Sequence, residues 1–211
     1  TFSFDTYYNP RRMNFGALRV LNDDRVEAGK GFGIHPHKNM EIISIPLKGK
    51  LKHGDSNKNS RTITIGDIQT MSAGTGIYHS EMNGSDTEPV EFLQIWVMPE
   101  KLNTPPAYQD YDIRPFLRKN ELALIVSPDG DAPAKMLQQT WFSIGEIEAG
   151  KKIGYHMHQS HAGVYIFVIE GEVKVDDTVL SRRDGMGVYD THSFELETLK
   201  DSHILLMEVP M

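Results

Sequence analysis

Cysteine is absent from this 211-residue chain, so neither a disulfide nor a thiol nucleophile contributes to its structure or chemistry. The chain suits a reducing compartment, and a cytoplasmic protein is expected. Long apolar runs are missing too. None approaches the roughly 20 residues of a membrane-spanning helix, and no signal peptide is visible, so no membrane role is expected. Basic charge is in short supply. Lys and Arg total 22 against 29 Asp and Glu, a formal net charge of -7. No basic run exceeds two residues, as in Arg11-Arg12 and Arg182-Arg183. Nucleic-acid-binding faces are basic, so direct nucleic-acid binding is not expected. The N-terminal methionine is also missing, and a segment before Thr1 is expected.

What is there is a succession of short β-branched and alternating stretches broken by Gly, Asn and Asp turns. The pattern predicts strands near Phe2–Phe4, Ala17–Leu21, Gly31–Ile34, Met40–Leu47, Lys50–His53, Arg61–Ile65, Ile68–Met71 and Val90–Met98. Turns are expected at Asn22-Asp23-Asp24, Gly49, Gly54-Asp55, residues 57–60 and Gly66-Asp67. Residues 99–116 hold Pro99, Pro105, Pro106 and Pro115 and read as a connector. A single helix is expected there or over Arg114–Glu121. Strands resume at Leu122–Ser127, Lys135–Ile147 (long enough to bend or break), Ile153–Met157, Gly163–Ile169, Val173–Val175, Gly187–Tyr189 and His203–Glu208. Regularly spaced short strands indicate an all-β antiparallel sandwich or barrel.

The chemistry-bearing stretch is Gly29-Lys-Gly-Phe-Gly-Ile-His35-Pro-His37-Lys-Asn-Met-Glu41. Gly and Pro36 exclude a stable helix. On a regular strand His35, His37 and Glu41 would share one face. A second piece follows in Tyr78-His79-Ser-Glu81, where His79 and Glu81 also share a face. Three neutral imidazoles and a carboxylate suit a first-row divalent ion and leave coordination positions open. The plainer alternative is that Glu81 hydrogen-bonds a buried histidine. His53, at a turn, reads as a solvated surface residue.

The His-x-His unit recurs. Gly29, His35, His37 and Gly49 have counterparts in Gly150, His156, His158 and Gly171, and His79 has one in His192. The match indicates a duplicated β-unit. The second copy has Phe194 where the first has Glu81, and His161 has the wrong parity to join His156 and His158. A second metal at His156, His158 and His192 would have Asp190 as its only obvious carboxylate. Otherwise these histidines hydrogen-bond within a polar barrel interior.

Gly-x5-His-x-His-x3-Glu-x7-Gly over Gly29–Gly49 resembles the first cupin motif, and Gly66–Asn83 resembles the second. The second departs by Ser72 where proline is usual and by two extra residues before His79. Those departures, with the phrases Phe32–Glu41, Met71–Glu81, Leu93–Val97, Thr1–Phe4 and Phe15–Asp24, resemble the pirin family. The resemblance spans essentially the whole chain and is strongest over residues 1–98. It implies two cupin (double-stranded β-helix, jelly-roll) barrels facing one another: an N-terminal cupin over residues 1–98, a connector over 99–118 and a C-terminal cupin over 119–211. The implied metal ligands are His35, His37, His79 and Glu81. Glu41 is then a residue that orients a ligand or lines the pocket. The implied metal is iron(II), with Zn, Ni, Cu, Mn or Co as substitutes, and the C-terminal barrel is usually empty in the family.

The implied activity is a dioxygenase that cleaves quercetin-like flavonols with dioxygen and releases carbon monoxide. Glu81 would serve as the base, and Phe32, Met40, Ile43 and Trp96 are candidate apolar contacts. The alternatives are a non-catalytic regulator that senses redox state through the same iron, and a binding protein with a structural metal. A monomer is expected.

Overall fold

The computed structural model describes residues 1–55 and 60–211, so the turn expected over residues 57–60 lies mostly outside the described residues. The chain forms two compact units. One comprises residues 1–14, 18–114 and 134–138, and the other residues 15–17, 115–133 and 139–211.

The first unit holds strands β1 (Leu18–Val26), β2 (Gly31–His37), β3 (Glu41–Lys48), β4 (Lys50–Asp55), β5 (Ser60–Thr64), β6 (Asp67–Ser72), β7 (Ile77–Asn83), β8 (Val90–Val97) and β9 (Ala107–Asp112). They form a five-stranded sheet in the order β1-β8-β3-β6-β9 and a four-stranded sheet in the order β2-β7-β4-β5. The alternating residues of both sheets bury their apolar face between them. Val26, Val90 and Phe92 of the larger sheet meet Leu51 and Ile63 of the smaller, and Ile42 and Met71 meet Ile77. Each fully buried side chain of this kind contributes about 1.5–3 kcal/mol.

The second unit repeats the plan. After the two-residue β11 (Ala134–Lys135), which groups with the first unit, come β12 (Trp141–Ile147), β13 (Lys152–His156), β14 (Ala162–Glu170), β15 (Glu172–Val175), β16 (Thr178–Ser181), β17 (Gly185–Val188), β18 (Ser193–Thr198) and β19 (Ser202–Pro210). With β10 (Ala123–Ser127), the unit's larger sheet runs β10-β12-β19-β14-β17, and its smaller sheet runs β13-β18-β15-β16. Val164, Ile166, Val168, Ile204 and Leu206 pack against Tyr155, Val173, Val175 and Leu196 across the interior. This is the two-barrel cupin architecture.

The repeat's turn glycines fall where a side chain would not fit. Gly49 (φ 74°) and Gly171 (φ 92°) close the hairpins after β3 and β14, and a β-carbon would lie 2.7 Å from the Pro89 carbonyl oxygen and 2.3 Å from that of Asp201, respectively. Only glycine takes this backbone without strain.

Several expectations are corrected. Phe2–Phe4 is not a strand; a single bridge joins Phe4 and Tyr7 around a turn in which Asp5 has φ 47°. Asn22-Asp23-Asp24 does not turn but runs on in β1, paired opposite Gln94, Leu93 and Phe92. Tertiary pairing outweighs local turn propensity there. The proline-rich stretch contains β9, paired with β6 at the sheet edge from Asp67↔Asp112 to Ser72↔Ala107. Its prolines bracket the strand and cost it no ladder hydrogen bond. The expected helix is only a 3-10 turn at Arg114–Phe116. The long Lys135–Ile147 stretch breaks between β11 and β12, because the Leu137 and Gln138 amides donate to the Glu41 carboxylate at 2.8 and 3.2 Å. The pattern reading missed β16 and β18.

Candidate metal centre

β2 is an edge strand, which is where Pro36 can sit without breaking a ladder. It pairs with β7 so that His35 lies directly opposite His79 and His37 opposite Ile77. This register brings three rings together. His79 Nε2 lies 2.8 Å from His37 Nε2 and 2.8 Å from His35 Nε2. Among the described residues this is the one group of three or more potential metal-ligating side chains close enough to hold an ion.

The ring partners set the tautomers. His35 Nδ1 is 2.8 Å from the Gly33 carbonyl, which can only accept, so Nδ1 carries the proton and Nε2 the lone pair. His79 Nδ1 is 2.7 Å from His53 Nε2. For all three Nε2 atoms to present lone pairs, His79 Nδ1–H donates to His53, whose own proton then sits on Nδ1. That Nδ1 is buried and has no hydrogen-bond partner among the described residues. Burial, then the His35 and His53 rings, lowers the His37 pKa to about 4. Burial, then His37, His53 and His35, lowers that of His79 to about 2. Both rings are neutral at physiological pH, the state a metal needs. Three converging imidazoles, two of them held neutral by burial, fit a divalent transition metal.

His53 is not the solvated residue expected from its place at a turn. It is 1% exposed, stacks on Tyr108 with ring centroids 4.5 Å apart, and backs His79. The signal was available in its parity with Leu51, since both are buried on β4.

Glu81 shares β7 with His79 and is 3% exposed. Its carboxylate accepts from Gln94 Nε2 at 2.7 and 2.6 Å and from Ser44 Oγ at 3.3 Å. Burial raises its pKa to about 7 against the opposing pull of those hydrogen bonds. The group of three imidazoles does not include it. Gln94 and Ser44 carried no motif signal; β3 and β8 bring them to Glu81 by tertiary pairing.

Glu41 does not join the histidines. The chain breaks strand geometry between β2 and β3, with Asn39 at φ 51°, and Glu41 begins β3 in the other sheet. Its carboxylate accepts from Ser72 Oγ at 2.7 Å as well as from the two amides at Leu137 and Gln138. Of the apolar contacts expected, Trp96 meets the edge of His37 at 4.9 Å between centroids. Ile43 is fully buried in the core, Met40 packs on the Ile42–Met71 cluster, and Phe32 is 44% exposed.

His156, His158 and His192 do not form a second ligand group among the described residues. The His158 ring is committed to Glu208, with Nδ1 2.8 Å from its carboxylate, and His192 meets this region through its carbonyl, which accepts from the Met157 amide. Asp190 is an exposed turn residue with φ 59°.

Two double-sheet barrels, one of which converges three imidazoles, define a bicupin with a metal-type centre. Residues 1–97 match the pirin family model, and residues 124–209 match the model described as the quercetinase C-terminal cupin domain. The chain belongs to the pirin family. It is 39% identical to a quercetin 2,3-dioxygenase of Escherichia coli K12, covering 100% of this chain and 90% of that protein. It is 34% identical to a pirin-like protein of Caulobacter vibrioides, covering 98% of this chain and 89% of that one. Among solved structures it resembles the E. coli bacterial pirin YhhW in complex with nickel(II), at 37% identity and a TM-score of 0.93, over 100% of this chain and 90% of that one. No helix among the described residues is long and apolar enough to cross a membrane.

Proposed function

We propose that the chain is a metal-dependent dioxygenase that cleaves quercetin-like flavonols with dioxygen and releases carbon monoxide. The observation that carries this reading is the convergence of the His35, His37 and His79 Nε2 atoms beside a buried carboxylate on the same strand as His79. The E. coli quercetin 2,3-dioxygenase to which the chain is similar suggests the substrate class.

His35, His37 and His79 would hold the metal, with Glu81 as the fourth ligand. Iron(II) is the metal proposed, with Zn, Ni, Cu, Mn or Co able to substitute; the E. coli pirin structure is a complex with nickel(II). When bound, the metal supplies Lewis acidity and redox chemistry toward dioxygen. The protein supplies the proton chemistry. A flavonol 3-hydroxyl must lose its proton before ring cleavage, and Glu81, a buried carboxylate two residues along β7 from His79, is the base proposed to take it. Gln94 holds that carboxylate by donating to both of its oxygens, and Ser44 braces Gln94 by donating to its Oε1 at 2.8 Å. Trp96 fixes the His37 ring by edge contact. His53 fixes the tautomer of His79. The enzyme is proposed to act as a cytoplasmic monomer on a small aromatic substrate, with no nucleic-acid partner.

The test is carbon monoxide release from quercetin by protein loaded to one iron per chain. Turnover that tracks iron content supports the proposal. Fully loaded protein that binds quercetin but releases no carbon monoxide overturns it.

A further inference from the structure

The first barrel carries two polar residues on its inner face that the metal centre does not use. β1 pairs with β8 without a break from Val20↔Trp96 to Val26↔Val90, so Val20, Asn22, Asp24 and Val26 share one face. That face is the interior, because Val26, Val90 and Phe92 pack on Leu51 and Ile63 of the opposite sheet, and Gln94 reaches Glu81 on β7. Asn22 lies directly opposite Gln94, and Asp24 opposite Phe92. Directly opposed residues have β-carbons about 4.5–5.5 Å apart, so Asn22 adjoins the side chain that grips Glu81. The charge of Asp24 is felt at Glu81, where it adds to the upward pull on that carboxyl.

Val20 and Val26 are buried, so the two polar residues interrupt a core-facing row. Both are partly buried, and neither side chain makes a hydrogen bond or an ion pair among the described residues. Glu81, Gln94 and Ser44, by contrast, bond one another. Burial and the adjacent Asp23 push the Asp24 pKa up to about 6, as befits a carboxylate short of donors. The pair sits at an opening. β1 and β2 follow one another in the chain but are edges of different sheets and are not paired together. Phe32 on β2 lies opposite Glu81 and shares its inward face, yet it is exposed. The seam between the two edges therefore presents an aromatic ring from β2 and polar side chains from β1, with the buried Glu81 and Gln94 inward of both.

We propose that Asp24 is the residue by which the first barrel reads ring hydroxyls, selecting flavonols that bear hydroxyls beyond the 3-position over the parent with that group alone. An ionised carboxylate only accepts, so the group that matches it is a donor. A phenolic hydroxyl donates and is neutral, whereas a ligand carboxylate or phosphate would meet like charge at both Asp24 and Glu81. A flat aromatic skeleton suits the Phe32 ring. This inference rests on the flavonol reading of the same barrel and adds which part of the ligand the protein recognises.

Binding to the metal-loaded full chain in the absence of dioxygen tests it, since the ligand then stays intact. Quercetin, which carries further ring hydroxyls, is compared with 3-hydroxyflavone, which carries none. Wild type should bind quercetin at least about tenfold more tightly, the worth of a hydrogen bond to a charged acceptor. Asp24→Ala should erase the preference by weakening quercetin. Removing a carboxylate that has no partner leaves no donor unmatched, so this variant should fold. Asp24→Asn, whose amide oxygen still accepts, should keep part of the preference. Asp23→Ala, the next residue on the exposed face of β1, should leave it unchanged. Both flavonols share the 3-hydroxyl, so a change at Glu81 or the metal would move both affinities together and leave their ratio alone. The proposal is overturned by equal affinities in wild type, by an Asp24→Ala protein that keeps the full preference (as when water alone satisfies the carboxylate), or by an equal loss in Asp23→Ala. If quercetin is preferred through Asp24 but no carbon monoxide is released, the dioxygenase reading fails and this one stands. Carbon monoxide release with a preference indifferent to Asp24→Ala has the reverse meaning.

Discussion

His53 holds its neighbour's proton. With its Nε2 2.7 Å from His79 Nδ1, it sets which nitrogen of His79 faces the other two imidazoles, and the cost is a buried Nδ1 of its own with no partner. Replacing such an orienting partner usually weakens metal binding by about 10–100-fold. His53→Leu should therefore lower iron affinity by that factor in a chelator competition, with His53→Gln recovering part of the loss because its amide oxygen can accept from His79. Equal affinity in wild type and His53→Leu would mean that the tautomer is set elsewhere. Glu81 makes a different prediction. Glu81→Gln keeps the shape but cannot take a proton, so turnover with quercetin should fall by about 10²–10⁴-fold. The three imidazoles should keep measurable iron bound, as read by elemental analysis. The residue scale also marks where reading ran out. His35, His37 and His79 were legible because metal-ligand spacing on a strand has a period of two. Gln94, Ser44 and the role of His53 were not, because their partners lie across strands whose pairing no local pattern encodes.

At the scale of elements, turn chemistry and side-chain anchors decide how strands begin and end. The hairpin glycines were legible, since a glycine closing a β-branched run asks for a positive φ. Gly171→Ala should destabilise the protein by more than the ~1 kcal/mol typical of an ordinary glycine substitution, because its β-carbon would collide with the Asp201–Ser202 backbone as well as strain φ. The denaturation midpoint in urea measures it, and an unchanged midpoint would contradict the assigned backbone. Glu41 is the clearest case of a motif residue put to another use. Its carboxylate caps Ser72 and the two amides that follow β11. Glu41→Ala leaves those buried donors unmatched, at about 1–3 kcal/mol each in the limit. The variant should lose stability while retaining wild-type iron affinity; a selective loss of iron affinity would instead return Glu41 to the metal centre. The long β1 and the edge strand β9 escaped the pattern because their aspartates and prolines signal turns, and only pairing with β8 and β6 overrides them.

Across the whole molecule, the first barrel concentrates groups whose ionisation is suppressed by burial. In the metal-free protein His37 and His53 titrate at about 4 and His79 at about 2, against 6.5 unperturbed. Each binds fewer protons folded than unfolded below 6.5, so stability is lost as pH falls from 6.5 toward each folded value. Glu81, raised from 4.5 to about 7, and Asp24, raised from 3.8 to about 6, act in the opposite direction between those values. Three imidazoles outweigh two carboxylates, so the net slope of stability with pH is positive from about 4.5 to about 6.5. The melting temperature of the metal-stripped protein should drop on going from about pH 7 to about pH 5. A profile that is flat or rises toward acid would sink the assignment. Adding back metal should raise stability at neutral pH by about 2.7 kcal/mol when the free ion exceeds its dissociation constant a hundredfold, and by less as protons compete for the same nitrogens.

The sequence by itself determined the strand-rich class, the duplication, the hairpin glycines and the three histidines, because each is written in a spacing of two or in a residue whose backbone or side-chain chemistry has few substitutes. The tertiary structure decided which carboxylates serve which barrel. Glu41 bonds Ser72 and the Leu137 and Gln138 amides, Glu208 bonds His158, and His53 lies in the interior rather than at the surface. Those outcomes depend on which strand lies opposite which, and pairing between distant segments is settled by the burial of whole faces rather than by any residue's neighbours along the chain.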